Sequence, residues 1–186
     1  MDNEDPSLQC GEPTEDYYII GQIDTVCIQA EANENWVNYP ETVSRFECGR
    51  LLKSDFVNYE ERINLSVLLS IPHVNGIDCE DLSPNAIQIG KYEFLQGNNI
   101  SEPGLAGFSI SIDRQIYATW ASGLEQSPES YFEVTAIEDA PADPTWHSAT
   151  QFKKVTGKIN CQIRSIDSNE APIEVQNLEF SIYMVY

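Results

Sequence analysis

Apolar and polar residues alternate with a period of two along most of the chain after residue 16. The clearest run is Arg62–Ile71, in which the odd-numbered positions are apolar and most of the even-numbered positions are polar. Successive side chains of a β-strand point to opposite faces, so this period is that of a strand with one buried face. No apolar stripe with a period of 3.6 residues continues for three turns. The pattern therefore predicts an all-β protein.

Nine segments share the strand pattern, and together they predict about eight to ten strands. They are Tyr17–Asp24, Val43–Leu52, Arg62–Ile71, Lys91–Leu95, Phe108–Ile112, Ile116–Trp120, Tyr131–Glu138, Val155–Ile166 and Ile173–Tyr186. That number is typical of an antiparallel β-sandwich or a small closed barrel, and the pattern favours neither. With 186 residues in the chain, we expect residues 17–186 to form a single domain.

The turn after Ile112 decides the position of a tryptophan. A three-residue loop at Asp113–Gln115 would set Phe108 opposite Trp120 and bury both rings, which is the register we predict. A two-residue turn would instead pair Ile110 with Tyr117 and place Trp120 on the outer face.

The last strand changes parity within its own length. Ile173 and Val175 fall on the opposite parity from the alternating residues 178–186, so a bulge within Gln176–Leu178 is needed to point both sets inward. Since each strand has one apolar face, a shared interior is the simplest way to bury them all. The predicted core contains Ile63, Leu65, Val67, Phe108, Ile110, Trp120, Ile159, Phe180 and Ile182.

Charge narrows the range of partners. The chain has 10 Lys and Arg against 30 Asp and Glu, a formal net charge of -20, which repels phosphate backbones and anionic lipid headgroups. We therefore expect no nucleic-acid partner, and the lack of a long apolar run predicts no transmembrane span.

Residues 1–16, with six acidic side chains, are predicted to be an acidic flexible tether.

Five cysteines are spread along the chain without a C-x-x-C pair, which argues against a zinc site. Outside the cytoplasm they can form at most two disulfides, and fifteen pairings remain open. The alternative is that some are small buried apolar side chains. Cys161 shares a face with Ile159 and Ile163, so we expect it to point inward.

Catalytic motifs are absent from the sequence. Neither Gly-x-Ser-x-Gly nor Ser-x-x-Lys occurs, and the two histidines, His73 and His147, are best explained as bystanders. Asp78, Glu80 and Asp81 offer the oxygen ligands that Ca²⁺ prefers, but their spacing does not match the twelve-residue calcium loop. A solvated turn is the favoured interpretation, and we therefore expect no cofactor. The alternative is that this cluster binds Ca²⁺.

Aromatic residues in predicted loops suggest a ligand. Trp36 and Tyr39 fall in the polar connection Glu31–Glu41, and Trp146 falls in a second one, Glu138–Gln151. Exposed rings stack on sugars, while neighbouring polar groups bind hydroxyls. The alternative is that these rings cap the ends of the core.

Several stretches resemble a known class of proteins. The segment 152–163, FKKVTGKINCQI, the step Gly90–Tyr92 and the segment Tyr131–Thr135 are similar to strands of small secreted all-β lipoproteins of unknown function from Bacteroidetes-type bacteria. In that family a lipidated Cys begins the mature chain, and acidic residues after it favour surface display. The resemblance implies an outer-membrane or cell-surface lipoprotein, or a secreted protein, with Met1 standing where the lipidated Cys would be.

These observations favour a non-catalytic cell-envelope or surface-exposed module with a binding or structural role, whose partner is a glycan or an envelope protein. The alternative is a hydrolase that cleaves polysaccharide with a pair of carboxylates. With 30 acidic residues, the sequence alone cannot identify such a pair.

Overall fold

The computed structural model describes residues 10–33, 35–46, 49–72, 87–96, 104–141 and 152–185, and these residues form an all-β fold. This confirms the predicted fold class. Eleven strands occur in the described part of the chain, slightly more than predicted. They are β1 (Tyr18–Ile23), β2 (Val26–Glu31), β3 (Val37–Phe46), β4 (Gly49–Asn58), β5 (Ile63–Pro72), β6 (Gly90–Phe94), β7 (Leu105–Ile112), β8 (Gln115–Ala118), β9 (Tyr131–Asp139), β10 (Phe152–Ser165) and β11 (Ile173–Val185).

All eleven strands hydrogen-bond into one large sheet, in the order β2-β1-β11-β10-β9-β6-β7-β5-β4-β3, with β8 pairing with both β10 and β7. The sheet is mixed, because β6 and β7 run parallel while the other pairs are antiparallel. It is not a clean barrel. One edge of the sheet, β3, approaches β11, the third strand from the other edge. There the side-chain amide oxygen of Asn38 in β3 accepts a hydrogen bond from the backbone N–H of Tyr183 in β11, at 3.2 Å.

One main core lies inside this sheet. Its fully buried members come from strands all along the order, among them Phe56, Phe132 and Ile19. Seven of the nine predicted core residues belong to it, and Ile63 packs against it as a partly buried neighbour.

The predicted bulge in the last strand is confirmed. The register of β11 shifts against both β1 and β10 between Val175 and Glu179, and Asn177 has a φ of 49°. As a result Val175 and Leu178 are both buried, in spite of their opposite parity.

The predicted position of Trp120 is wrong. A two-residue turn joins β7 and β8, so Ile110 pairs with Tyr117, and Trp120 packs in a separate small cluster outside the main core. Asp113 and Arg114 both have positive φ, at 48° and 76°, which is the backbone conformation of a type I′ turn.

Two boundaries also differ from the prediction. The segment 43–52 is not one strand but the end of β3 and the start of β4, which pair as an antiparallel hairpin. The predicted loop Glu31–Glu41 contains the start of β3, so Tyr39 lies in a strand.

No helix in the described part of the chain is long and apolar enough to cross a membrane.

Candidate functional site

Residues 10–16, which we call the strap, run beside the N-terminal hairpin. A disulfide joins Cys10 to Cys27 in β2, with the two Cα atoms 5.5 Å apart. Both cysteines are partly exposed, whereas Cys161 is buried in the main core as predicted, with a free thiol. This disulfide occurs in three of the fifteen arrangements that the sequence left open.

A second attachment lies at Thr14. Its hydroxyl and its backbone N–H both donate to the carboxylate of Glu31, and the side-chain amide of Gln29 donates to the same carboxylate at 2.6 Å. These hydrogen bonds hold the pKa of Glu31 below its ordinary value of 4.5, and the bond from the Thr14 hydroxyl has the largest effect. Burial acts in the opposite direction and raises this pKa. Glu31 is therefore an ionised anchor for the strap.

A third attachment lies at Asp16. The backbone oxygen of Asp16 accepts a hydrogen bond from the hydroxyl of Ser181 at 2.7 Å, and its carboxylate pairs with Lys154 at 3.2 Å. The ammonium group of Lys154 also lies 5.7 Å from the centre of the Tyr17 ring. Residues 10–16 belong to the segment for which composition predicts a tether, and they are attached to the sheet at three points.

A cleft of about 430 Å³ lies between the first four strap residues and the outer face of β1 and β11. We call it the strap cleft. Ile20 contributes apolar surface, and the other strand residues that line it are mostly polar. The lining residues are Cys10, Gly11, Glu12, Pro13, Tyr18, Ile20, Gly21, Gln22, Asn177 and Glu179.

The bulge in β11 shapes one wall of the strap cleft. Asn177 is the extra residue of the bulge, and its backbone N–H donates to the side chain of Asn160 at 2.7 Å. Gly21 in β1 faces the bulge so closely that an added Cβ would lie 2.5 Å from the Cα of Leu178. Glycine is required there because β1 and β11 approach too closely for any side chain.

The electrostatics of the strap cleft favour hydrogen-bond donors on a ligand. Burial raises the pKa of Tyr18, and the charges of Glu179 and Glu12 raise it further while Lys158 opposes them. Lys158 pairs with Glu179 at 2.6 Å, and this hydrogen bond raises the pKa of Lys158. The carboxylates supply acceptors, and the amide of Gln22 supplies both a donor and an acceptor.

The predicted aromatic residues do not meet in this cleft. Trp36 is partly buried and packs against the main core, which matches the capping alternative. Tyr39 is 39% exposed, and its hydroxyl lies 3.3 Å from that of Tyr59, which is 65% exposed. We call these two the tyrosine pair. Sequence reasoning missed Tyr59, and Trp146 lies outside the described residues.

The predicted Ca²⁺ cluster falls on a part of the chain that the structure does not describe. Asp78, Glu80 and Asp81 lie outside the described residues. Within the ranges that the structure describes, no group of three or more His, Cys, Asp or Glu side chains is arranged to hold a metal ion.

Comparison with known proteins adds no relative. No family model matches the chain, and neither the curated proteins nor the solved structures contain a significant match. Function is therefore inferred from the geometry of the strap cleft and of the tyrosine pair.

Proposed function

We propose that the protein is a non-catalytic module of the cell envelope or cell surface that binds a glycan in the strap cleft. The cleft itself is the observation that supports this proposal. Ligand sites are generally concave, with volumes of roughly 300–1,000 Å³ and a few convergent polar groups. The strap cleft, at about 430 Å³, is within that range.

The lining suits a ligand rich in hydroxyl groups. Carboxylates of Glu12 and Glu179 accept hydrogen bonds from hydroxyls, and the amide of Gln22 can both donate and accept. The half-buried ring of Tyr18 offers an apolar surface of the kind that stacks on a sugar ring. An anionic ligand is disfavoured by the two carboxylates.

Two observations support a location outside the reducing cytoplasm. A disulfide between half-exposed cysteines, Cys10 and Cys27, persists in oxidising compartments and is rare in the cytosol. The resemblance to surface lipoproteins supports the same location, with a lipid anchor as the means of attachment.

The geometry of Glu179 favours binding over hydrolysis. A glycosidase needs a protonated carboxyl group as its general acid and a second carboxylate as nucleophile or base. Glu179 is held in an ion pair with Lys158, an arrangement that does not suit a general acid. The hydrolase is the rival proposal, and it predicts release of reducing ends from a polysaccharide that the protein binds.

Titration calorimetry with a panel of oligosaccharides and polysaccharides tests the proposal. Tyr18→Ala is expected to weaken binding about tenfold, or about 1.4 kcal/mol, because the stacking surface is lost. Tyr59→Ala is the matched control, and its affinity should equal that of the wild type. Tyr18→Phe should keep most of the affinity because it keeps the ring.

Three results would count against the proposal. Weaker binding in Tyr59→Ala together with unchanged binding in Tyr18→Ala would move the site to the tyrosine pair. Release of reducing ends would favour the hydrolase. No binding to any member of the panel by the folded protein, as judged from its circular dichroism, would refute the glycan proposal itself.

A further inference from the structure

The strap is attached unevenly along its length. Thr14 and Asp16 are held by side-chain hydrogen bonds and an ion pair. Before them, within the described part of the chain, Gly11, Glu12 and Pro13 make no hydrogen bond or ion pair of their own, and the Cys10–Cys27 disulfide holds that end of the strap. These same residues form one wall of the strap cleft.

We infer that the Cys10–Cys27 disulfide is a redox-sensitive clasp that keeps the strap cleft in its binding shape. This inference rests on the proposed function, because it concerns the regulation of the same site. With the bond formed, residues 10–13 are fixed at both ends, by Cys10 and by Thr14. With the bond broken, the Cys10 sulfur keeps only its 3.1 Å contact with the backbone oxygen of Gly21 within the described part of the chain, so residues 10–13 can move away from β1.

The chemistry of release is a thiol–disulfide exchange with a dithiol reductant. One thiolate of the reductant attacks a sulfur of the Cys10–Cys27 bond, which breaks that bond and forms a mixed disulfide. The second thiolate of the reductant then attacks its own sulfur in the mixed disulfide and releases the protein sulfur. The reductant leaves as a disulfide, two electrons pass to the protein, and the sulfurs of Cys10 and Cys27 take up two protons. Both cysteines are partly exposed, which gives the reductant access.

The free thiol in the core does not interfere with this exchange. Cys161 is 4% exposed, and burial raises the pKa of its thiol, so its reactive thiolate form is scarce. Among the cysteines that the structure describes, Cys10 and Cys27 are therefore the pair that can be reoxidised to a disulfide. The reverse exchange, with the disulfide form of the reductant as the two-electron acceptor, then restores the same bond and the same cleft.

Backbone ¹⁵N relaxation on the full chain tests the clasp without any ligand. We expect the order parameters of the Gly11 and Glu12 amides to fall from about 0.85 in the oxidised wild type to below about 0.6 in the double variant Cys10→Ser/Cys27→Ser. The order parameters of residues 14–16 should be unchanged, because their attachments do not depend on the disulfide. Thr14→Val, with the disulfide intact, is the matched control and should leave the order parameter of Gly11 high.

Two relaxation results would overturn the inference. Equal order parameters at Gly11 and Glu12 with and without the bond would show that the disulfide does not hold the strap. Lower order parameters throughout β1 and β2 would make the bond a support of the whole hairpin and not a clasp.

Binding provides the second readout. For the oligosaccharide that the oxidised wild type binds, the double variant should bind about tenfold more weakly, since the wall must be ordered again on binding. Equal affinity in both forms would overturn regulation of the site even where the strap moves. Failure of the oxidised protein to bind any glycan would refute the proposed function, while the relaxation result would still decide whether the clasp exists.

Discussion

Asn38 is the residue at which the contact between β3 and β11 can be tested. Its side-chain amide donates to the hydroxyl of the fully buried Ser54 at 2.8 Å and to the backbone oxygen of Asp55 at 3.1 Å, and it accepts from the N–H of Tyr183. Asn38→Ala removes all three bonds. At about 1 kcal/mol each, the free energy of unfolding should fall by about 3 kcal/mol.

Urea unfolding followed by circular dichroism measures this loss. For a chain of this length, about 3 kcal/mol corresponds to a Tm that is lower by roughly 6–12 °C. Asn38→Asp keeps the acceptor for Tyr183 and loses the donor, so it separates the bond to β11 from the two bonds to β4. Asn169→Ala, at an exposed position, is the control and should stay within about 0.5 kcal/mol of the wild type. A loss of under about 0.5 kcal/mol for Asn38→Ala would refute the view that this amide joins β3 to β11.

Two further predictions concern stability. Gly157→Ala should lower the free energy of unfolding by about 3 kcal/mol or more, because the added Cβ would overlap the ring of the buried Phe180 in the core; a thermal melt close to that of the wild type would contradict this. The lowered pKa of Glu31 means that its bond with Thr14 stabilises the fold above pH 4.5, and this contribution is lost as the pH falls through the folded-state pKa. Urea titrations between about pH 6 and pH 3 should therefore show a smaller acid-induced loss in Glu31→Gln, and equal losses in both proteins would exclude this role.

Much of the fold could be predicted because burial imposes a period of two. The alternation in β5 and the parity change in β11 are visible in the sequence, since the face toward the main core is mostly apolar and a bulge restores that face. The second face of β5, which the alternation predicted to face solvent, is also buried, at Ser66, Leu68 and Ser70. The register after Ile112 could not be predicted in this way. There the backbone adopts positive φ at Asp113 and at Arg114, and arginine gives no sign of that conformation. Turn chemistry, and not hydrophobic pattern, decided where Trp120 lies.

The strap cleft could not be predicted from the sequence at all. One wall depends on which of five cysteines pair, and spacing gives no preference among fifteen arrangements. The opposite wall depends on two strands from opposite ends of the chain, β1 and β11. Tyr39 was predicted in a loop because the segment around it is polar, but a strand at the end of a sheet needs less apolar surface than a central one.

The pairing of β1 with β11 has a consequence for the order in which the protein can fold. Tyr18 lies opposite Ser181, so β1 is synthesised long before its partner β11. Contacts this distant in sequence carry a cost in loop-closure entropy and form slowly. The hairpin β1–β2 must therefore wait with one edge uncovered until β11 has been made. Since Cys10 and Cys27 both belong to that waiting segment, oxidation can stabilise it before its partner strand arrives.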